Sequence, residues 1–497
     1  MEKTMKRYGW MVLLGLVTLG CNDFLDENPD NRVELNDLDK AAQLLTNAYS
    51  VASPAFTDWM TDDFTYTIGT VIRPAHEQMY AWEDVTAGQD EQDTPDFYWY
   101  ETYKAIAHAN EVLAVLDDLP MESEEDEAKR DAVEAEALLT RAYGHFMLVN
   151  LFGQHYNGSS ASSDEGIPYV KTPETTFLAE YSRVSVSRVY KEVEDDLLEG
   201  LEKLDESFFN NSGKYHFNRN AALAFASRYY LYKGDMIRCL QYSNELLGSS
   251  PEAYVRDFTS DEYSASKSSI TGYPQLYSSP DESANLLLMR KISLMQRNDY
   301  AFGIESNFYG SLYASNPFGA TDERENPAFV KGQNALFPVR YESLFERSSL
   351  NSNTGTPYHI GVMFKGEEVL FNRIEANIYN GKLDAALADL QILTDRRYTG
   401  VADVTLTLDL LRQFYGAENE PSFTDQDILL NYMLLERRKE FVGLGMRWFD
   451  IKRYSMTVQH AYGDSGQVAT LSADDDRKVL QIPQSAQDVG GLEDNPR

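Results

Sequence analysis

Glu436-Arg437-Arg438-Lys439-Glu440-Phe441, followed closely by Gly445-Met446-Arg447-Trp448-Phe449-Asp450-Ile451-Lys452-Arg453, is the most informative stretch of this chain. Two short runs dense in both charge signs flank a glycine turn. On a helix over 426–442, Glu436, Arg437, Arg438 and Glu440 stand at spacings that allow i,i+3 and i,i+4 ion pairs. On a second helix over 445–454, Arg447, Asp450 and Arg453 can pair in the same way while Trp448 and Phe449 pack inward. A block of acids and bases can be mistaken for a catalytic dyad. Its periodicity assigns it instead to structure, as a tie between the C-terminal helices and the rest of the scaffold, through Arg437, Arg447, Trp448 and Asp450.

Upstream, two helix pairs resemble each other. Superposing Gly234 on Gly381 aligns Leu231 with Ile378, Tyr232 with Tyr379, Cys239 with Ala386 and Leu240 with Leu387. The glycine turns one helix into the next, and the small residue five positions on lets the two backbones approach. This is the logic of a tetratricopeptide unit, although a generic αα-hairpin fits the same pattern equally. Further helices are predicted at 37–51, 96–116, 124–151, 186–205, 218–233, 235–247, 366–380 and 383–396. Between them, 52–95 loses helical period and gains Thr, Pro, Gly and Asp, which predicts an extended loop region. Residues 153–183 form a connector, and 248–360 read as an irregular insert with some strand. After 454 the tail is irregular and carries Ile482-Pro483 and Asn495-Pro496.

Composition narrows the function. Of the 497 residues, 79 are Asp or Glu against 44 Lys or Arg, a formal charge of −35. Such a chain is a poor partner for phosphate backbones, so nucleic acid is excluded. The 7 histidines are scattered and the 2 cysteines, Cys21 and Cys239, supply neither a disulfide framework nor a zinc site. No nucleophile elbow or phosphate loop is present, and neither metal nor cofactor is expected. Residues 1–20 read as a secretion signal: Lys3, Lys6 and Arg7 precede an apolar run from Trp10 to Leu19 that is too short to span a bilayer. The run ends at Leu19-Gly20-Cys21, which resembles a lipoprotein cleavage box with Thr18 where Leu is usual; a plain signal with an incidental cysteine is the alternative. Lipidated Cys21 would anchor the mature chain without spanning the membrane, with 21–36 as tether.

Several segments together resemble one family. Glu136 to Phe146, running on to Leu151-Phe152-Gly153, is similar to the EARFLRAYAYF…YG pattern of SusD/RagB-like proteins, and Gly166-Ile167-Pro168 matches the GIP that follows it. Val186 to Leu197 and Ala221 to Asp235 resemble the next two helices. The Glu436–Arg453 block resembles the family's RWFDLKR region almost residue for residue, and the Ile-Pro and Asn-Pro pairs match its closing motif. The resemblance runs from Cys21 to Arg497 in order. It implies a mainly α fold: a tetratricopeptide-like helical-pair scaffold (about 37–51, 96–247 and 366–454) carrying a large irregular, loop-rich ligand-binding half (about 52–95 and 248–360) within one domain, 37–497. It also implies a surface-exposed outer-membrane lipoprotein of Bacteroidetes, consistent with the acidic Asn22 to Glu27 after the lipidated cysteine. Its partner would be a SusC-like TonB-dependent transporter, over which it closes as a lid, and it would catalyse nothing.

A glycan site needs aromatic faces for the apolar sides of sugar rings and planar donors and acceptors for their hydroxyls. In the first loop region Trp59, Tyr66, Tyr80 and Trp82 meet this demand, with Arg73, His76 and Gln78 nearby; in the insert Tyr309, Tyr313 and Asn307 do, with Tyr300, Phe308 and Arg297 close by. Ordinary packing is the competing role for every one of these rings. Asp62-Asp63 reads as a solvated turn or part of a cation site. Loop tryptophans favour oligosaccharide over the oligopeptide ligand of the RagB branch. A glycoside hydrolase would need two carboxylates about 5–10 Å apart in a cleft, a condition that so many acids meet by chance. A scaffold that binds only protein partners is the remaining alternative.

Overall fold

The computed structural model describes residues 35–497 apart from 68–69, 71, 176–178, 210–212, 298–300, 326–327, 401–404, 419 and 463–466. The signal segment, Cys21 and Tyr300 lie outside the described residues. The fold is mainly α, in antiparallel helix pairs. Pro95–Val115 packs on Glu124–Phe152, which packs in turn on Val186–Lys203; Arg219–Lys233 pairs with Met236–Leu247, and Gly366–Tyr379 with Leu383–Asp395. Leu408–Phe414 and Asp425–Phe441 close the series. No described helix is long and apolar enough to cross a membrane.

Local chemistry explains these boundaries. Thr94, Ser123, Ser185, Asn218 and Asp235 each cap a helix N-terminus by accepting from a backbone N–H three residues on. Thr424 and Asp427 make a reciprocal capping box. Gly234 and Gly381 both adopt left-handed backbone, at φ 79° and 70°, a conformation costly for any residue with a Cβ. Beyond them Cys239 and Ala386 are fully buried, and the Cys239 thiol lies 3.6 Å from the Asn372 carbonyl of the neighbouring pair. The two turns aligned by sequence are therefore alike in backbone and in the buried small residue, but not at the aligned tyrosines, where Tyr232 is buried and Tyr379 is exposed.

The rest of the chain is less irregular than its composition suggests. Within 52–95 the structure holds a 3-10 turn, Pro54–Met60, a strand, Thr65–Tyr66, and a helix, Pro74–Tyr80. Each is too short to leave a period in the sequence, though Pro54 and Pro74 stand at first-turn positions, where proline is favoured. The insert contains the helices Asp261–Ser266, Gly272–Tyr277 and Ser306–Ala314 and small antiparallel sheets. One of these sheets matters most for function. Thr65–Tyr66 pairs with Phe302–Glu305, which continues to Ala335–Pro338 and Ala328–Lys331, so the two loop-rich regions form one sheet.

The charge-rich block binds outward more than along its own helix. Lys439 to Glu436, at 2.9 Å, is an i,i+3 pair, but Arg437 reaches Asp450 at 2.9 Å and Glu440 accepts from Arg397 at 2.9 Å. Arg324 bridges Asp322 at 2.6 Å and Glu436 at 2.7 Å, and Arg453 takes Glu375 at 2.9 Å. The helix is buried here, so its charges find partners on other segments rather than in water. Trp448 is fully buried. Arg447 pairs not with Asp450 but with Asp62, through two bonds of 2.9 Å each, and Arg438 reaches Asp62 at 3.0 Å and Asp63 at 2.5 Å. Asp62-Asp63 is thus neither a solvated turn nor a cation site; two guanidinium groups hold it. Arg447→Lys keeps the charge and loses the fork. It is expected to cost about 1.5–3 kcal/mol in chemical unfolding, and an Asp62→Asn, Arg447→Lys double variant to cost little more than either single change.

Candidate ligand-binding site

The strand pairing Tyr66↔Phe302 places the aromatics of both loop-rich regions in one ladder. Trp82 stacks on His460 at 4.2 Å, His460 on Tyr80 at 4.2 Å, and Tyr80 on Phe302 at 4.8 Å. Phe302 meets Tyr66 edge-on at 6.0 Å and Trp59 at 5.8 Å. Four rings singled out in the sequence therefore belong to a single assembly, joined by Phe302 and His460, which the sequence did not single out.

Most of this ladder is core. Trp59 and Tyr80 are almost wholly inaccessible, and Trp82 is only 3% exposed, with its indole N–H donating to the Met60 carbonyl at 2.9 Å. These three rings brace the site rather than offer a face to solvent. His460 is sandwiched, with Nδ1 2.8 Å from the Tyr80 carbonyl and Nε2 2.7 Å from that of Thr61. Burial pulls its pKa below the usual histidine value, and the two carbonyls oppose that shift. Tyr309 and Tyr313 are also buried, their rings 4.9 Å apart; Tyr309 donates to the Glu325 carbonyl and Tyr313 to that of Lys439 at 3.1 Å. His76 lies 4.4 Å from Trp59 in the core, and Arg297 ties Ser293 to Gln92.

Two ends of the ladder meet solvent. At one, Tyr66 is half-buried against Phe302. Arg73 and Asn307 are exposed but are not part of the ladder, and Phe308 lies under the Arg438 guanidinium at 5.0 Å. At the other, Trp82, Met60 and Met79 floor a pocket of about 230 Å³ closed by the C-terminal tail. Its walls carry Gln484, Gln487, Asp96 and Arg497. Arg497 donates to Asp84 at 2.6 Å, which ties the tail to the loop. Among the described residues the Asp96 carboxylate has no side-chain partner, and the residue is 7% exposed; burial pushes its pKa up to about 6, against its own backbone N–H and with Glu91 adding to the shift. An apolar floor under amides, carboxylates and a guanidinium is chemistry suited to a polyhydroxylated ligand. Among the described residues no cluster of His, Cys, Asp and Glu could hold a metal.

Residues 23–231 match a SusD-like family described as starch-binding and associating with the outer membrane, and residues 362–489 match the SusD family. SusD-like protein P38 of Formosa agariphila is 22% identical over 404 residues, covering 74% of each chain. Among solved structures, a SusD superfamily protein from Bacteroides thetaiotaomicron superposes with a TM-score of 0.67 at 20% identity, over 93% of this chain and 100% of that one. A laminarin-binding SusD-like protein superposes with a TM-score of 0.58 at 16% identity, over 92% of this chain and 98% of that one. The helical-pair scaffold, the Glu436–Arg453 block in its buried network and these matches at both ends of the sequence converge: the chain belongs to the SusD/RagB-like family.

Proposed function

We propose that this protein is a non-catalytic, cell-surface lipoprotein that captures oligosaccharide or polysaccharide and delivers it to a SusC-like TonB-dependent transporter, over which it acts as a lid. Its anchor is lipidated Cys21 in the outer membrane, facing the exterior. The observation that carries the ligand class is the aromatic ladder, with half-buried Tyr66 at one end and the Trp82 pocket with its amide and carboxylate rim at the other. The family's description as starch-binding and the laminarin-binding relative support the same reading.

The test is calorimetry of the purified chain against plant, host and microbial oligosaccharides and mixed peptides, repeated with Tyr66→Ala and with Gln484→Ala, Gln487→Ala. Heat with one glycan class is expected. A loss of affinity of tenfold or more, about 1.4 kcal/mol, in one variant and not the other assigns the contact to that end of the ladder. Heat with peptides alone would overturn the glycan reading in favour of the oligopeptide branch, for which the free Asp96 carboxylate is a ready partner of a peptide ammonium group.

A further inference from the structure

We propose that an interior cavity between the helical scaffold and the Gly355–Lys365 strand is a binding site for a small inorganic anion of chloride size, with the Lys365 ammonium as its principal donor. The cavity measures about 70 Å³ and is lined mostly by buried side chains, among them Lys365, Lys291, Arg228, Glu368 and Phe441, with half-buried Tyr143 beside them. A single water needs roughly 10–15 Å³ measured in this way, so the space takes an ion with a few waters and is far too small for a sugar.

Its charge balance is one-sided. Glu368 is the one carboxylate among the described lining residues, and Arg228 already neutralises it through bonds of 2.5 and 2.6 Å. Lys291, 7% exposed, donates to the carbonyls of Ser50 at 2.6 Å and Ala52 at 3.1 Å, and among the described residues meets no carboxylate. Among the described residues Lys365, 5% exposed, has neither a hydrogen-bond acceptor nor an ion-pair partner, and its ammonium lies over the face of the Phe441 ring at 5.1 Å. Tyr277 and the Glu367 carboxylate favour its charge and Arg256 and Arg340 oppose it, but Glu367 is already held by Arg256 through two bonds of 2.9 Å. The Tyr143 hydroxyl accepts from Arg228 at 3.4 Å, which leaves its own proton free to donate.

A buried ammonium without a counter-charge is unstable. It sheds its proton or gathers an anion. Burial lowers the pKa of both lysines, Lys291 to about 7, which loosens each ammonium's hold on its proton unless an anion joins it. An anion in the cavity would accept from Lys365 and Tyr143 and offset both ammonium charges. Because the site lies inside the scaffold, it is independent of the ligand reading above.

Two measurements test this. Crystals grown in sodium bromide are expected to show an anomalous peak within hydrogen-bond distance of the Lys365 ammonium. Thermal melts at matched ionic strength are expected to rise saturably by at least about 2 °C in chloride or bromide relative to gluconate. Lys365→Met removes the uncompensated charge while filling similar space; it should melt no lower than the parent in gluconate and lose the halide response. A bromide map without a peak, together with equal melts in halide and gluconate, would mean that the cavity holds water alone and would overturn the proposal. The bromide map does not depend on the variant folding.

Discussion

Arg324→Met is expected to cost about 3–5 kcal/mol, the range for breaking a buried ion pair by removing one partner. The side chain fits the space, so the loss is electrostatic rather than a cavity. Arg324 donates to Asp322, to Glu436 and, at 3.4 Å, to Glu440, and reaches the Tyr398 hydroxyl at 3.1 Å, all in the interior. Without it, Asp322 loses its close partner, and Glu436 and Glu440 are left with Lys439 and Arg397 alone to balance them. Urea denaturation reads the effect as a lower midpoint. The sign with pH follows from Glu436. Burial alone would raise its pKa, but Lys439 and Arg324 beside it and the Tyr398 hydroxyl bring it down to about 2. A carboxylate depressed in the folded state contributes stability that is complete above its unfolded value of about 4.3 and is lost as pH falls through the folded one. The parent protein should therefore lose stability as pH falls from about 4.5 towards 2, whereas Glu436→Gln, weaker at neutral pH, should show a shallower decline over that window. An Arg324→Met variant with an unchanged midpoint at pH 7 would show that the network is solvated and not the tie described above.

What was legible in the sequence follows from what each feature needs. Long helices advertise themselves through period and caps, so Pro95–Val115 and Glu124–Phe152 lie within a residue of their predicted spans. The Gly234 and Gly381 turns were legible because a left-handed position singles out glycine. Partners far apart in sequence were not. Nothing in the local pattern joins Arg447 to Asp62, 385 residues away, when Asp450 stands three residues off on the same helix. The aromatics show the same limit. Trp59, Tyr80 and Trp82 lie in a segment whose composition reads as exposed loop, and their burial depends on Phe302 and His460, which arrive from the insert and the tail. Sequence picked out the two regions that meet, but not which rings face inward: the short elements that fix this, such as Thr65–Tyr66 and Pro74–Tyr80, leave no readable period.

That ambiguity is sharpest at Trp82, where two variants separate bracing from ligand contact. Trp82→Ala is expected to lower unfolding free energy by about 3–5 kcal/mol, the range for truncating a large aromatic in a core. It removes the ring stacked on His460, leaves the Met60 carbonyl without its donor, and opens the floor of the adjoining pocket. Trp82→Phe keeps a ring on His460 and gives up only the indole N–H, so about 1–3 kcal/mol is expected. Both variants retain a residue with a Cβ at φ 54°, so the left-handed strain is common to them and cancels in the comparison. Glycan affinity, measured well below the unfolding transition, then discriminates. A ring that braces the pocket leaves affinity unchanged in Trp82→Phe and loses it in Trp82→Ala, because only the second removes the floor. An indole that touches the ligand does the opposite at the first step: Trp82→Phe would weaken binding while costing little stability. With 3% of the residue accessible, the first pattern is the expected one, and the stacking face for a sugar ring then falls to Tyr66 at the other end of the ladder.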